Sequence, residues 1–168
     1  MTNFNKMLLV AGATMLFATP ALAAPSATSV TLTVSTRAQI VEPLTMTKLT
    51  DLDFGTLVKT STLTATPVTF SLANDNTPTC PAELLCSNAQ TATFDVFGTP
   101  DQFLFVTTSA TLLNNGLVNL AMTPNPVTGQ QLDSTGKTSF GVGGTVQVAS
   151  TTAAGVYNGT MDVTVDYN

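Results

Sequence analysis

The chain offers few residue combinations that could do chemistry, and each must be weighed against a plainer role. Cys80 and Cys86 are its only cysteines and enclose Pro81-Ala82-Glu83-Leu84-Leu85; the chain has no histidine. Metal or redox chemistry would want histidine partners or a tighter cysteine spacing. In an exported chain, the pair instead reads as a disulfide closing a short loop. The loop-entropy argument gives so short a closure about 2–3 kcal/mol, enough to staple a connection but not to support the fold. Without histidine there is also no usual general base for a nucleophilic triad. Asp51 and Asp53 would share one face of a strand, which allows a glycosidase-like carboxylate pair. The simpler assignment is that Asp51 turns the chain and Asp53 sits at a strand edge before Phe54 and Gly55.

Two glycine clusters resemble nucleotide-binding loops only in part. Gly136-Lys137-Thr138 ends like a phosphate loop, but Gln131 stands where its first glycine would be, and no strand–helix frame surrounds it. Gly141-Val142-Gly143-Gly144 lacks the last glycine of the dinucleotide fingerprint, and in a β-protein marks a bulge or a close approach of backbones. No catalytic, cofactor-binding or metal-binding residue is expected. The sequence therefore reads as a non-enzymatic chain without cofactors.

Positioning falls to strands. Thr accounts for 33 of the 168 residues, charged residues for 9%, and β-branched and aromatic residues recur at alternate places, a composition suited to half-buried pleated surfaces. Strands are expected over 38–47, 52–58, 66–73, 90–97, 102–108, 116–123, 138–149 and 155–167. Their separators are clusters such as Asn74-Asp75-Asn76, Asn114-Asn115-Gly116 and Thr123-Pro124-Asn125-Pro126. Short strands at this spacing predict an all-β, immunoglobulin-like β-sandwich.

Residues 1–23 read as a secretory signal peptide. Lys6 supplies the basic start, 7–18 the apolar run and Ala21-Leu22-Ala23 the cleavage site. The run is too short to span a bilayer, and no membrane span is expected after its removal. Cleavage removes Lys6 alone among the charged residues, leaving the net charge one unit more negative than −5. Such a balance argues against nucleic-acid or anionic-lipid partners. The expected route is export through the periplasm to the cell surface or medium.

The two ends of the mature chain carry the sharpest patterns. From Gly155, the terminal segment places Tyr157, then Met161, Val163, Val165 and Tyr167 on one face, against Asp162, Thr164 and Asp166 on the other. Asn158-Gly159 is ordinarily a hairpin signal; because the alternation continues across it, one strand with an internal glycine is expected. Near the start, Val30, Leu32 and Val34 alternate with Thr and Ser over 29–36. No Gly, Pro, Asn or Asp in Thr36-Arg37-Ala38-Gln39 helps that segment turn back.

Together with Ala38-Gln39-Ile40, Pro43-Leu44-Thr45, Leu52-Asp53-Phe54-Gly55, 94–98 and Phe140-Gly141-Val142-Gly143-Gly144-Thr145, these features resemble a bacterial secreted family of unknown function grouped with fimbrial subunits. More loosely, they are similar to the spore-coat-U-like subunits of archaic chaperone-usher pili. Those subunits usually carry a cysteine in the first strand, where this chain has Ala38. The resemblance implies a pilin-type sandwich (37–168) lacking one strand, with 24–36 as a donor strand that fills the groove of a neighbouring subunit. It further implies partners: other pilus subunits, a periplasmic chaperone and an outer-membrane usher. The competing expectation is a monomeric secreted sandwich that binds a carbohydrate or surface ligand, its own N-terminal strand folded back.

Overall fold

A computed structural model describes residues 29–168. The expected signal peptide and residues 24–28 of the N-terminal segment lie outside the described residues. The chain divides into Met1–Ala38 and Gln39–Asn168. In the first unit, residues 29–38 form no strand, and Val30, Leu32 and Val34 are 78%, 82% and 80% exposed.

The second unit is all β. Its strands are β1 (Thr45–Thr50), β2 (Thr56–Lys59), β3 (Val68–Leu72), β4 (Pro78–Thr79), β5 (Leu84–Ser87), β6 (Ala92–Phe97) and β7 (Phe103–Thr108). They continue with β8 (Thr111–Asn114), β9 (Asn119–Pro124), β10 (Gln130–Gln131), β11 (Lys137–Val142), β12 (Gly144–Val148) and β13 (Val163–Tyr167). Among the described residues there is no helix, and no helix is long and apolar enough to cross a membrane.

Two layers of antiparallel sheet face each other. The first has the order β1-β6-β11 and is prolonged by the pair β2-β5. Backbone bonds between Asp53 and Gln90, 2.8 and 2.7 Å, bridge the two parts. The second layer has the orders β4-β3-β12-β9-β8 and β10-β7-β13. Alternation puts Ala92, Phe94 and Val96 of β6 and Phe140 and Val142 of β11 against Leu104 and Val106 of β7, forming one core cluster. Phe70, Leu72, Met122, Val146 and Val148 meet Leu63 and Leu84 in a second. Ring pairs reinforce both: Phe94 stacks on Phe140 at 5.5 Å, and Phe54 meets Phe70 edge-on at 6.1 Å.

The expected strand over 138–149 is two strands. β11 pairs with β6 in the first layer and β12 with β3 and β9 in the second, so the chain changes layers at Gly143. A Cβ there would stand 2.0 Å from the Leu72 carbonyl oxygen, so only glycine fits the crossing. The segment expected at 38–47 begins pairing only at Thr45. Strands β5 and β8 fall where connections were expected. The pairings that create them, with β2 and with β9, are long-range or hairpin contacts not encoded in their own short apolar runs.

Cys80 and Cys86 form a disulfide with Cα atoms 6.1 Å apart, joining the loop after β4 to β5. The carboxylate pair separates into two local roles: Asp51 pairs with Lys48, and Asp53 accepts the Gly55 N–H at 2.8 Å. Gly136-Lys137-Thr138 is a turn entering β11. The Asp133 carboxylate accepts from the Thr135 N–H and hydroxyl and from the Lys137 N–H.

Candidate functional site

Register identifies an uncovered strip of the interior. Directly opposed residues of an antiparallel pair share a face, so Met46 opposite Val96 and Lys48 opposite Phe94 must point the same way as those two core side chains. Val96 is fully buried and Phe94 nearly so, yet Met46 is 40% exposed, Lys48 is exposed, and Leu44 is half-buried. On the other side of β6, Phe140 and Val142 stand in the same relation to Phe94 and Ala92 and are buried. The second layer thus covers β6 and β11 but stops short of β1.

The strand at which it stops is β13. Val165 opposes Val106 and Tyr167 opposes Leu104, whose side chains are buried, while Val163, Val165 and Tyr167 themselves are only half-buried. Met161, Val163, Val165 and Tyr167 all pack against the first core cluster, as do Leu44 and Leu52. Asp162, Thr164 and Asp166 are exposed on the opposite face. Neither β1 nor β13 has a second strand partner among the described residues. Two edges with unpaired backbone groups therefore flank a strip of half-covered apolar side chains.

The ends of this cleft are defined. At one, the Tyr167 hydroxyl donates to the Glu42 carbonyl at 2.6 Å and accepts from the Thr99 N–H at 2.9 Å. At the other, Leu52 and Met161 touch both core clusters. Lys48 is kept from being a buried charge by reaching along its own strand to Asp51. Such a cleft can take an extended segment with apolar side chains at alternate positions, which would meet both edges through main-chain hydrogen bonds.

The terminal strand is shorter than its sequence pattern. Only 163–167 form β13, whereas Asn158 makes an isolated bridge to Asn114, and the register slips by one residue between the two. Gly159 lies in the slip, where a Cβ would come within 2.9 Å of the Leu112 carbonyl oxygen. No hairpin forms at Asn158-Gly159. Ser109 holds the crossing, its hydroxyl accepting from the Asp162 N–H at 3.1 Å. Gly155 and Tyr157 belong to the preceding loop. There the Tyr157 hydroxyl donates to the Ala153 carbonyl at 2.9 Å, and Gly155 has φ +150° beside Asn115.

Three contributors to the cleft were missed from sequence: Leu44, Met46 and Leu52. The alternation of Leu44 and Met46 with Thr45 and Thr47 was the available signal, obscured by placing the strand too early.

Residues 44–167 match the family described as "Domain of unknown function (DUF4402)". The chain belongs to that family. The match runs from Leu44 at the start of the cleft to Tyr167 at its far edge. No curated protein and no solved structure matches the chain.

Proposed function

We propose that this DUF4402 chain is an exported structural or adhesive subunit of a surface pilus, which polymerises by giving its N-terminal segment to the cleft of the next copy. The observation that carries the reading is the half-covered apolar strip between the unpaired edges of β1 and β13, with Met46 exposed in register with the buried Val96. An exposed apolar strip bounded by two unpaired edges is costly in water and invites aggregation, which is the physical reason for a chaperone in transit and a donor strand at the end. The segment around Val30, Leu32 and Val34 has the complementary pattern, and it is exposed and in no strand. Burying those three side chains is worth about 1.5–3 kcal/mol each before ordering costs. Main-chain bonds to both edges add about 1 kcal/mol apiece.

The test removes the donor and gives it back. Deleting residues 24–35 should leave a chain that folds with a chaperone but forms no fibres by negative-stain microscopy. A synthetic peptide of residues 29–36 should convert it to a stable monomer, and the same peptide with Leu32→Asp should not. Mature protein that refolds alone into a heat-stable monomer, forming neither ladders nor fibres, would refute strand exchange.

A further inference from the structure

A second site lies away from the cleft. The turn at 73–77, between β3 and β4, settles against the outer face of the β1-β6-β11 layer. With Thr50, Gln90, Thr91, Thr93 and Gly141 it bounds a cavity of about 350 Å³. A second compartment of about 310 Å³ shares Asn74, Asp75 and Gly141 with the first and continues past Ser139 and Phe140 to Pro126 and Val127. The two lie side by side along one furrow, with Asn74, Asp75 and Gly141 between them.

The turn that builds it is held rigidly. Asn76 has φ +67°, and its side-chain oxygen accepts from both the N–H and the hydroxyl of Thr91, a residue 1% exposed. The Asn74 side chain is fixed at both ends, accepting from the Gly143 N–H at 2.8 Å and donating to the Pro126 carbonyl at 3.1 Å. Thr50 and Thr93 bond to each other through their hydroxyls at 2.8 Å. Three polar groups at the furrow are left with free capacity. The Asn76 side-chain amide has no partner among the described residues, nor has the Gln90 carboxamide, and the Asp75 carboxylate is engaged only within its own turn, by the Thr77 hydroxyl and N–H.

We infer that this furrow binds a neutral saccharide. The lining contains no Lys or Arg, so an anion would find no counter-charge. Asp75 is its only carboxylate, too few for a divalent cation that wants six to eight oxygen ligands. What remains is a carboxylate that accepts from hydroxyls, the Asn76 amide that donates, the Gln90 carboxamide that both donates and accepts, and threonine hydroxyls: the groups that match vicinal sugar hydroxyls. Pro126 and Val127 give the second compartment an apolar wall for the C–H face of a ring. Two adjacent compartments of this size suit the two rings of a disaccharide unit. The cleft lies on the inner face at β1, whereas the furrow lies on the outer face and beside the β11 edge. A subunit whose cleft is filled keeps its furrow open, and the site does not depend on the polymerisation proposal.

The experiment is ligand-observed saturation-transfer NMR on the mature chain, which reads monomer and polymer alike. The probes are lactose, maltose, mannobiose and N,N′-diacetylchitobiose at about 10 mM, a concentration that reveals even millimolar dissociation constants. At least one should show transfer. Gln90→Ala and Asp75→Asn should each weaken that binding about tenfold or more. Gln90→Ala breaks no side-chain bond within the chain, so its thermal melting should match the parent. Asp75→Asn keeps an acceptor for Thr77 but gives up the charge that the turn stabilises, so it should still melt cooperatively, at a slightly lower midpoint. Phe105→Ala, on the outer face of β7, should leave binding unchanged. Absence of transfer from all four sugars overturns the inference, as does transfer that survives both furrow substitutions. Calcium alone shifting the amide signals of Asn74, Asp75 and Asn76 would overturn it too, by making the site a cation site.

Discussion

Tyr167 and Glu42, 125 positions apart, are joined by a hydrogen bond in which the tyrosine hydroxyl donates to the glutamate's backbone carbonyl. The same hydroxyl accepts from the Thr99 N–H, so one phenol ties the last strand to the chain entering β1 and to the connection between β6 and β7. It closes one end of the cleft while leaving the strand edges unpaired. Tyr167→Phe keeps the ring and removes both bonds. We expect a loss of about 1–2 kcal/mol in denaturant unfolding, with the m-value unchanged. No change in the midpoint would show that water replaces both bonds at no cost.

The two faces of β13 should respond oppositely to substitution. Val165 opposes Val106 and packs against the core, whereas Asp166 is exposed. Val165→Asp puts an unpaired charge against apolar neighbours and should destabilise the chain by several kcal/mol. Asp166→Ser should fall within about 0.5 kcal/mol of the parent, as surface changes usually do. Equal shifts in thermal midpoint would mean that β13 presents its other face.

The Cys80–Cys86 bridge should matter locally. It closes a loop with a sequence separation of 6, so replacing both cysteines by serine should cost about 2–3 kcal/mol and leave the chain folded. The Cys86 side chain also packs beside the second core cluster, so part of any loss will come from the more polar oxygen at that place. Intact mass after alkylation, with and without reductant, checks the bond itself: protein purified from the periplasm should take up label only after reduction. Hydrogen exchange should quicken in β2 and β5 before it does in β6 or β11, because β5 carries Cys86 and pairs only with β2.

Alternation carried much of the fold into view. The strands at 103–108, 92–97 and 68–72 lie inside the expected spans because each shows its burial pattern locally, as in Ala92, Phe94 and Val96. What stayed hidden is set by partners. Leu84 to Ser87 is a strand because β2 lies beside it, and Gly143 divides one apolar run between two sheets because the Leu72 backbone passes against it. The cleft was half legible. The inward face of the terminal segment shows in Met161 and, within β13, in Val163, Val165 and Tyr167, whereas Met46 is recognised only through its register with β6 and Leu44 only through its packing on the first core cluster. The furrow was not legible at all. Asn74-Asp75-Asn76 has the composition of any turn, and only its docking onto Thr91 makes a cavity of it.

The acid limit of stability should trace to carboxylates that organise turns and strand faces. The Thr135 hydroxyl, followed by the Lys137 and Thr135 N–H groups, holds the Asp133 carboxyl below its ordinary value of 3.8. Ser139, and then Lys137, does the same for Asp95, and the Thr77 hydroxyl and N–H for Asp75. A carboxyl whose folded pKa is depressed stabilises the fold fully above its unfolded pKa, and that contribution is lost as pH falls through the folded value. Stability should therefore be flat above about pH 5 and decline below about pH 4. Asp75 and Asp133 are exposed and Asp95 is half-buried beside a partly exposed Lys137, so salt should weaken the ion-pair part of the effect, between Lys137 and Asp95, more than the turn bonds of Asp133. Asp133→Asn keeps an acceptor for Thr135 and Lys137 but no longer titrates. Its thermal midpoint should start lower at neutral pH and fall less steeply on acidification than that of the parent chain. A variant that declines in parallel with the parent would show that the acid sensitivity arises elsewhere.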